Sequence, residues 1–192
     1  PTPRVDELDG SCQSIDFDGS DDMVAIGPLG IGSVWTFEGW VQWNPSEPGT
    51  LFWNECLAIG TFSTRNTFYL LNDSECDGNF DHYLDGEIDA TGLTDGGWHH
   101  LAVTYDGSFE AFIDGSSVGT STPLPDTHFS GPYPGGLGGQ TGHSYADARV
   151  NTVRISSSIR YSADFTPDHR LETDDETELL WRFDEPGATV VT

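Results

Sequence analysis

The sequence predicts an all-β protein built as an antiparallel sandwich or barrel. Three observations predict it. Short apolar runs alternate with period two, turn signals separate them about every 8 to 12 residues, and no segment keeps a helical period beyond about three turns.

Seven runs read as strands, in chain order: "SIDFD", "WTFEGWVQW", "NTFYLL", "HHLAVTY", "FEAFID", "VNTVRIS" and "ELLWRF". Asp-Gly occurs at Asp9, Asp18, Asp77, Asp85, Asp95, Asp106 and Asp114, and each pair is a turn candidate because both residues tolerate positive φ. In "WTFEGWVQW", Trp35, Phe37, Gly39, Val41 and Trp43 share one face, while Thr36, Glu38, Trp40 and Gln42 share the other. That pattern predicts a sheet buried on one side only. The polar stretch "TPDHRLETDDET" accommodates one short helical turn, and the glycine-rich "SGPYPGGLGGQTGHS" (130–144) reads as a long surface loop leading into a strand. Residues 1–11 read as a linker and 12–192 as one domain.

The charge is one-sided: 32 acidic residues stand against 7 basic ones, all arginine, for a net charge of −25. Such a surface repels phosphate backbones and anionic lipid, which argues against nucleic-acid partners and membrane insertion. It is the acidic coat of a secreted or salt-adapted protein, expected to be extracellular or on the cell surface. The opening "PTPRV" carries neither the basic nor the apolar region of a signal peptide, so export is inferred indirectly from a mature or excised fragment. Cys12, Cys56 and Cys76 lack the CxxC spacing of a zinc site. In an extracellular setting they form one disulfide with one cysteine left over. Cys56 with Cys76 is the preferred pair, because both sit in one central hairpin-like region.

The stretch "GGWHHLAVTYDGSFEAFIDG" (96–115) concentrates chemistry-bearing residues, yet it reads as scaffold. Neighbours on a strand point to opposite faces, so His99 and His100 cannot act on one metal or one substrate, and one of them is expected to be partly buried and hydrogen-bonded. "GSSVG" (115–119) matches a nucleophile-elbow pattern, but Ser117 falls in a hairpin turn with no helix behind it. His82, His128, His143 and His169 are scattered without ligand spacing.

The motifs "SIDFDGSDDMVAIG" (14–27), "WTFEGWVQW", "GGWHHLAVTYDG" (96–107), "FEAFIDGSSVG" (109–119) and "ARVNTVRISSSIRYSADFTP" (148–167) occur in the order seen in laminin-G-like domains. The chain thus resembles the bacterial branch of the concanavalin A-like lectin and glucanase superfamily over roughly residues 13–185. The resemblance implies a jelly-roll β-sandwich of two antiparallel sheets, with "WRFDEPGATVV" as last strand beside the first. It also implies a non-catalytic recognition module of a secreted or surface-anchored protein, with a glycan or a surface protein as partner. A structural spacer, adhesin or self-associating surface module is the competing class. "EID" (87–89) is similar to the carboxylate motif of the β-glucanase relatives, but Thr91 and Gly92 stand where the second catalytic acid belongs, about 5 Å from the first.

Two further expectations concern ligands. Trp53, Phe62, Phe80, Tyr83, Tyr133 and Tyr145 lie near predicted loops, where an aromatic face can stack on a sugar ring. Calcium is expected as a stabilising ion at one of two places. "DSECDGNFD" (73–81) sets Asp73, Glu75, Asp77 and Asp81 at loop positions one, three, five and nine, with Gly78 at the turn. Position twelve is Leu84 where an EF-hand needs glutamate. The resemblance implies the second place, with Asp18 and Asp184 brought together on neighbouring first and last strands.

Overall fold

The computed structural model describes residues 14–44, 49–54, 56–62, 67–73, 82–123, 134–139 and 144–183, with the backbone alone for residues 62, 71, 72 and 82–87. Its strands are β1 (Ile15–Asp18), β2 (Val24–Ile26), β3 (Trp35–Trp43), β4 (Gly49–Asn54), β5 (Leu57–Phe62), β6 (Thr67–Asn72), β7 (His82–Asp89), β8 (Trp98–Tyr105), β9 (Phe109–Ile113), β10 (Ser116–Thr120), β11 (Gly135–Leu137), β12 (Asp147–Ser156) and β13 (Thr177–Arg182). They form two antiparallel sheets of a jelly-roll sandwich. One runs β1-β12-β3-β8-β9-β10 with β13 also on β12, and the other runs β2-β11-β4-β5-β6-β7. Alternate residues from both inner faces fill the core, among them Trp35, Phe37, Val41 and Trp43 against Leu51, Phe52, Ile59 and Leu70.

The seven predicted runs all became strands, whereas β2, β4, β5, β7, β10 and β11 were not anticipated. The glycine-rich 130–144 stretch contains β11, wedged between β2 and β4. Asp85 and Gly86 lie inside β7 rather than at a turn. Ser117 lies in β10; the turn before it is Asp114-Gly115, both at positive φ (51° and 76°), the signature of a type I′ hairpin. No helical turn forms in "TPDHRLETDDET", which runs in extended and bent backbone to a turn at 175–176.

β3 is buried on both faces, not one. Residues 157–171 cross the outer face of the seven-stranded sheet and cover Thr36, Glu38 and Trp40. Thr36 Oγ1 donates to Ser158 O (2.7 Å), Trp40 Nε1 donates to Asp168 O (3.1 Å), and His169 stacks on Trp40. Beneath this strap lies a polar knot. The fully buried Glu38 accepts from Arg154 (2.7 Å), from Tyr161 Oη (2.8 Å) and from His100 Nε2 (3.2 Å). Burial alone would push the Glu38 carboxyl up; the hydrogen bond and charge of His100, the charge of Arg154 and the Tyr161 hydroxyl hold it below its usual value instead. His100, not His99, is thus the fully buried member of the histidine pair.

β1 and β13 lie end to end along one edge of β12 rather than side by side. Asp18 pairs with Asp147, whereas the chain leaves β13 at Phe183, whose N–H donates to Asn151 O. Those partners stand four positions apart on β12, about 13 Å of strand. The lateral neighbourhood expected for Asp18 and Asp184 is therefore not the arrangement of these strands, and Asp184 itself lies outside the described residues.

Candidate recognition face

The strap leaves one end of the seven-stranded sheet uncovered, and strand alternation decides what stands there. Because Phe17, Trp43, Ala148 and Val150 point into the core, Asp16, Asp18, Gln42, Asn44, Asp147 and Arg149 point outward. Register then aligns Asp16, Arg149, Gln42 and Trp98 across four consecutive strands, β1, β12, β3 and β8. One row thus carries a carboxylate, a guanidinium, an amide and a half-buried indole. With neighbouring strands roughly 4.8 Å apart, the row spans about 14 Å. A shallow cavity of about 420 Å³ opens beside it, lined by Asp18, Asn44, Gly96 and Asp147 among others.

Each polar group in it is oriented. Asn44 Nδ2 donates to Asp147 Oδ2 (2.6 Å), and Gln42 Nε2 donates to Gly96 O (2.8 Å). Asp18 Oδ1 accepts from Ser20 N (2.9 Å), and Arg149 Nε donates to Asp16 Oδ1 (3.3 Å) across an exposed pair. Carboxylates and amides fixed this way leave acceptor oxygens facing solvent beside a flat ring. That combination suits hydrogen-bonding to ligand hydroxyls with one apolar face to stack on. Of this constellation the sequence pointed to Asp18, for another role, and to Gln42 only as a residue of the second face of β3. Period-two alternation in "SIDFD", "WVQWN" and "DARV" was the signal that could have found the rest.

The aromatic residues expected to bind ligand are distributed otherwise. Trp53, Phe62 and Tyr83 belong to strands β4, β5 and β7 of the six-stranded sheet, not to loops, and register sets Trp53, Ala58, Leu71 and Tyr83 in one row. On the outward side of that sheet Thr50, Ala58 and Tyr69 are buried, and Trp53 Nε1 is buried beside Gly136 and Met23. Tyr145 is half-buried and bridges Gly139. Phe80 and Tyr133 lie outside the described residues. So do Glu75, Asp77 and Asp81; Asp73 is buried, and its N–H donates to Cys56 O (2.9 Å). Among the described residues no group of three His, Cys, Asp or Glu side chains is placed to hold a metal. The buried Cys56 is disulfide-bonded, while Cys12 and Cys76 both lie outside the described residues.

Of the catalytic look-alikes, Ser117 and Asp89 have defined hydrogen-bond partners. Ser117 Oγ donates to Glu110 Oε1 (2.8 Å), and its backbone N–H donates to Asp164 Oδ1 (2.9 Å). Asp89 Oδ1 accepts from Thr91 N (2.9 Å) and Thr91 Oγ1 (2.6 Å), closing the turn after β7; those bonds hold its carboxyl below the usual range. Glu87 belongs to β7, where only the backbone is described.

A family model described as the concanavalin A-like lectin/glucanases superfamily, Laminin_G_3, matches residues 18–164. No curated protein matches the chain in sequence. Among solved structures it is similar to a heptameric SAP-like pentraxin from Limulus polyphemus, at 15% identity and TM-score 0.60, covering 77% of each chain. It is also similar to domains LG4-5 of the mouse laminin alpha1 chain, at 11% identity and TM-score 0.59, covering 77% of this chain and 42% of that one. A third likeness is to domain 4 of AbnA, an extracellular GH43 arabinanase of Geobacillus stearothermophilus, in complex with arabinotriose. There identity is 18% and the TM-score 0.51, with 68% of this chain and 63% of that one covered. At these identities the likenesses establish the fold.

Proposed function

The chain belongs to the Laminin_G_3 family of the concanavalin A-like superfamily, and from that premise we propose that it is a non-catalytic recognition module that binds a glycan on the open polar face. The observation that carries this reading is the aligned row Asp16, Arg149, Gln42 and Trp98 beside the cavity. Among the described residues Val34 is the only large apolar side chain exposed, so the described surface offers no hydrophobic patch for a protein partner. The complex of the arabinanase domain with arabinotriose supports a saccharide ligand, and the laminin and pentraxin likenesses support a binding role. The acidic coat supports an extracellular setting.

A panel of neutral oligosaccharides, read by quenching of tryptophan fluorescence, tests the proposal. Binding is expected, and Trp98→Ala is expected to weaken it about tenfold, a loss of about 1.4 kcal/mol. Silence across the panel with a concentration-dependent oligomer would favour the structural, self-associating class.

Two stabilising features complete the reading. Calcium at the 73–81 loop is supported by the buried carboxylate of Asp73 at the head of an acid-rich run. A saturating ion at about 100 times its dissociation constant adds roughly 2.7 kcal/mol, so the melting temperature should fall on chelation; an unchanged value after verified metal removal would refute calcium. Pairing of Cys56 with Cys76 is supported by the Asp73 N–H bond to Cys56 O, which sets Asp73, three positions before Cys76 in sequence, beside Cys56. Non-reducing mass mapping should recover that link, and recovery of Cys56 with Cys12 would overturn it.

A further inference from the structure

His99 stands between two carboxylates. Its Nε2 lies 2.8 Å from Asp95 Oδ1 and its Nδ1 lies 2.8 Å from Asp114 Oδ2. A neutral imidazole has one N–H and one lone pair, so it can donate to only one of them; both contacts are hydrogen bonds only when the ring carries both protons. The two acids belong to different elements. Asp114 sits in the β9–β10 turn, where its Oδ1 also accepts the His100 N–H (3.0 Å). Asp95 is exposed in the turn before β8, where its Oδ1 also accepts the Gly97 N–H (2.6 Å). Between Asp95 and Gly97 lies Gly96, the carbonyl that orients Gln42 and part of the cavity wall. On β3 the residue opposite His99 is the apolar Val41, and among the described residues no third charged group is paired with the ring.

We infer that His99 is a proton-operated latch on the rim of the recognition face: the imidazolium ties the 95–97 turn to the β9–β10 turn, and loss of a proton frees the 95–97 turn together with its hold on Gln42. Asp114 keeps its partner on deprotonation, because it is the more sheltered of the two acids, 23% exposed. Asp95, 63% exposed, is then left facing a lone pair and swings into solvent. Both acids favour the charged ring, the Asp114 bond most, and they raise its pKa against the opposing effect of burial. The contribution to stability is therefore complete below the usual histidine value of 6.5 and is lost as pH rises through the higher folded value. As regulation of ligand binding the latch rests on the recognition reading above, but its mechanical part is measurable without ligand.

Heteronuclear NMR of the full chain, titrated from about pH 5 to about pH 9 across the histidine range, supplies the test. The His99 ring, the Gly97 amide and the Gln42 side-chain amide are expected to follow one titration with a midpoint above 6.5. In Asp95→Asn, an exposed change that leaves the fold intact, the midpoint falls and Gln42 stops following; in His99→Gln the titration of Gly97 and Gln42 vanishes. A midpoint at or below 6.5, or Gly97 and Gln42 unmoved while His99 titrates, overturns the latch. An oligosaccharide bound equally well above and below the midpoint also overturns it as a regulator. If no oligosaccharide binds at either pH the recognition reading fails, and the ligand-free titration still decides the latch.

Discussion

Replacing Glu38 with Gln is expected to lower the unfolding free energy by about 3 to 5 kcal/mol, because it strips the counter-charge from an Arg154 that is itself buried. Three donors converge on Glu38 from three places: Arg154 from β12, His100 from β8 and Tyr161 from the strap. An amide carries no charge and offers one acceptor oxygen, so it cannot satisfy them all. For a domain of this size the loss corresponds to a melting temperature roughly 10 °C lower. The depressed carboxyl pKa fixes the pH dependence: the stabilisation is complete above the ordinary value near 4.5 and is lost as pH falls through the lower folded value. Adding Arg154→Met should recover part of the loss, since the stranded charge is then gone. Purely additive effects of the two substitutions in a double-mutant cycle would show that the pair does not act as a unit.

Gly115→Ala should cost about 3 kcal/mol, from two sources that share one position. Gly115 has φ +76°, which an L side chain occupies at a cost of about 1 to 2 kcal/mol. A Cβ there would also collide with Phe165 O and lie 2.9 Å from Pro167 Cδ, which forces the strap off the sheet. The strap is anchored at that point by the Phe165 N–H bond to Gly115 O (2.8 Å), and Phe165 stacks on Tyr161, one of the donors to Glu38. Displacement should therefore expose 157–171 to limited proteolysis as well as lower stability. Gly107→Ala is the control: its φ is +115° but nothing lies within 4 Å of an added Cβ. It should pay backbone strain alone, about 1 kcal/mol, with no new cleavage. Equal losses at both glycines would remove the strap from the account.

Period two was a sufficient signal wherever a strand has one apolar and one polar face, as in β1, β8 and β12. It failed for β5 because "LAIGTF" carries alanine and glycine at alternate positions, and for β11 because "GGL" has two adjacent glycines; close neighbours leave no room for a side chain at Gly60, Gly135 or Gly136. It misjudged β3 because a strap distant in sequence covers the second face, and no local pattern encodes a cover more than a hundred residues away. The open face was legible only in pieces. Alternation puts Asp16 with Asp18 and Asp147 with Arg149 on common faces, but which strands adjoin is a property of topology. His99 shows the same limit: its strand parity was readable, whereas Asp95 and Asp114 meet it only because two turns fold to the same end of β8.

Recognition by the open polar face is tested most directly by mapping amide and side-chain shifts of the chain with the tightest oligosaccharide of the panel. The largest changes are predicted at Asp16, Gln42, Asn44, Trp98, Asp147 and Arg149, with the six-stranded sheet silent. Changes centred on Trp53, Tyr69 and Tyr145, with the Asp16 to Trp98 row unmoved, would contradict it.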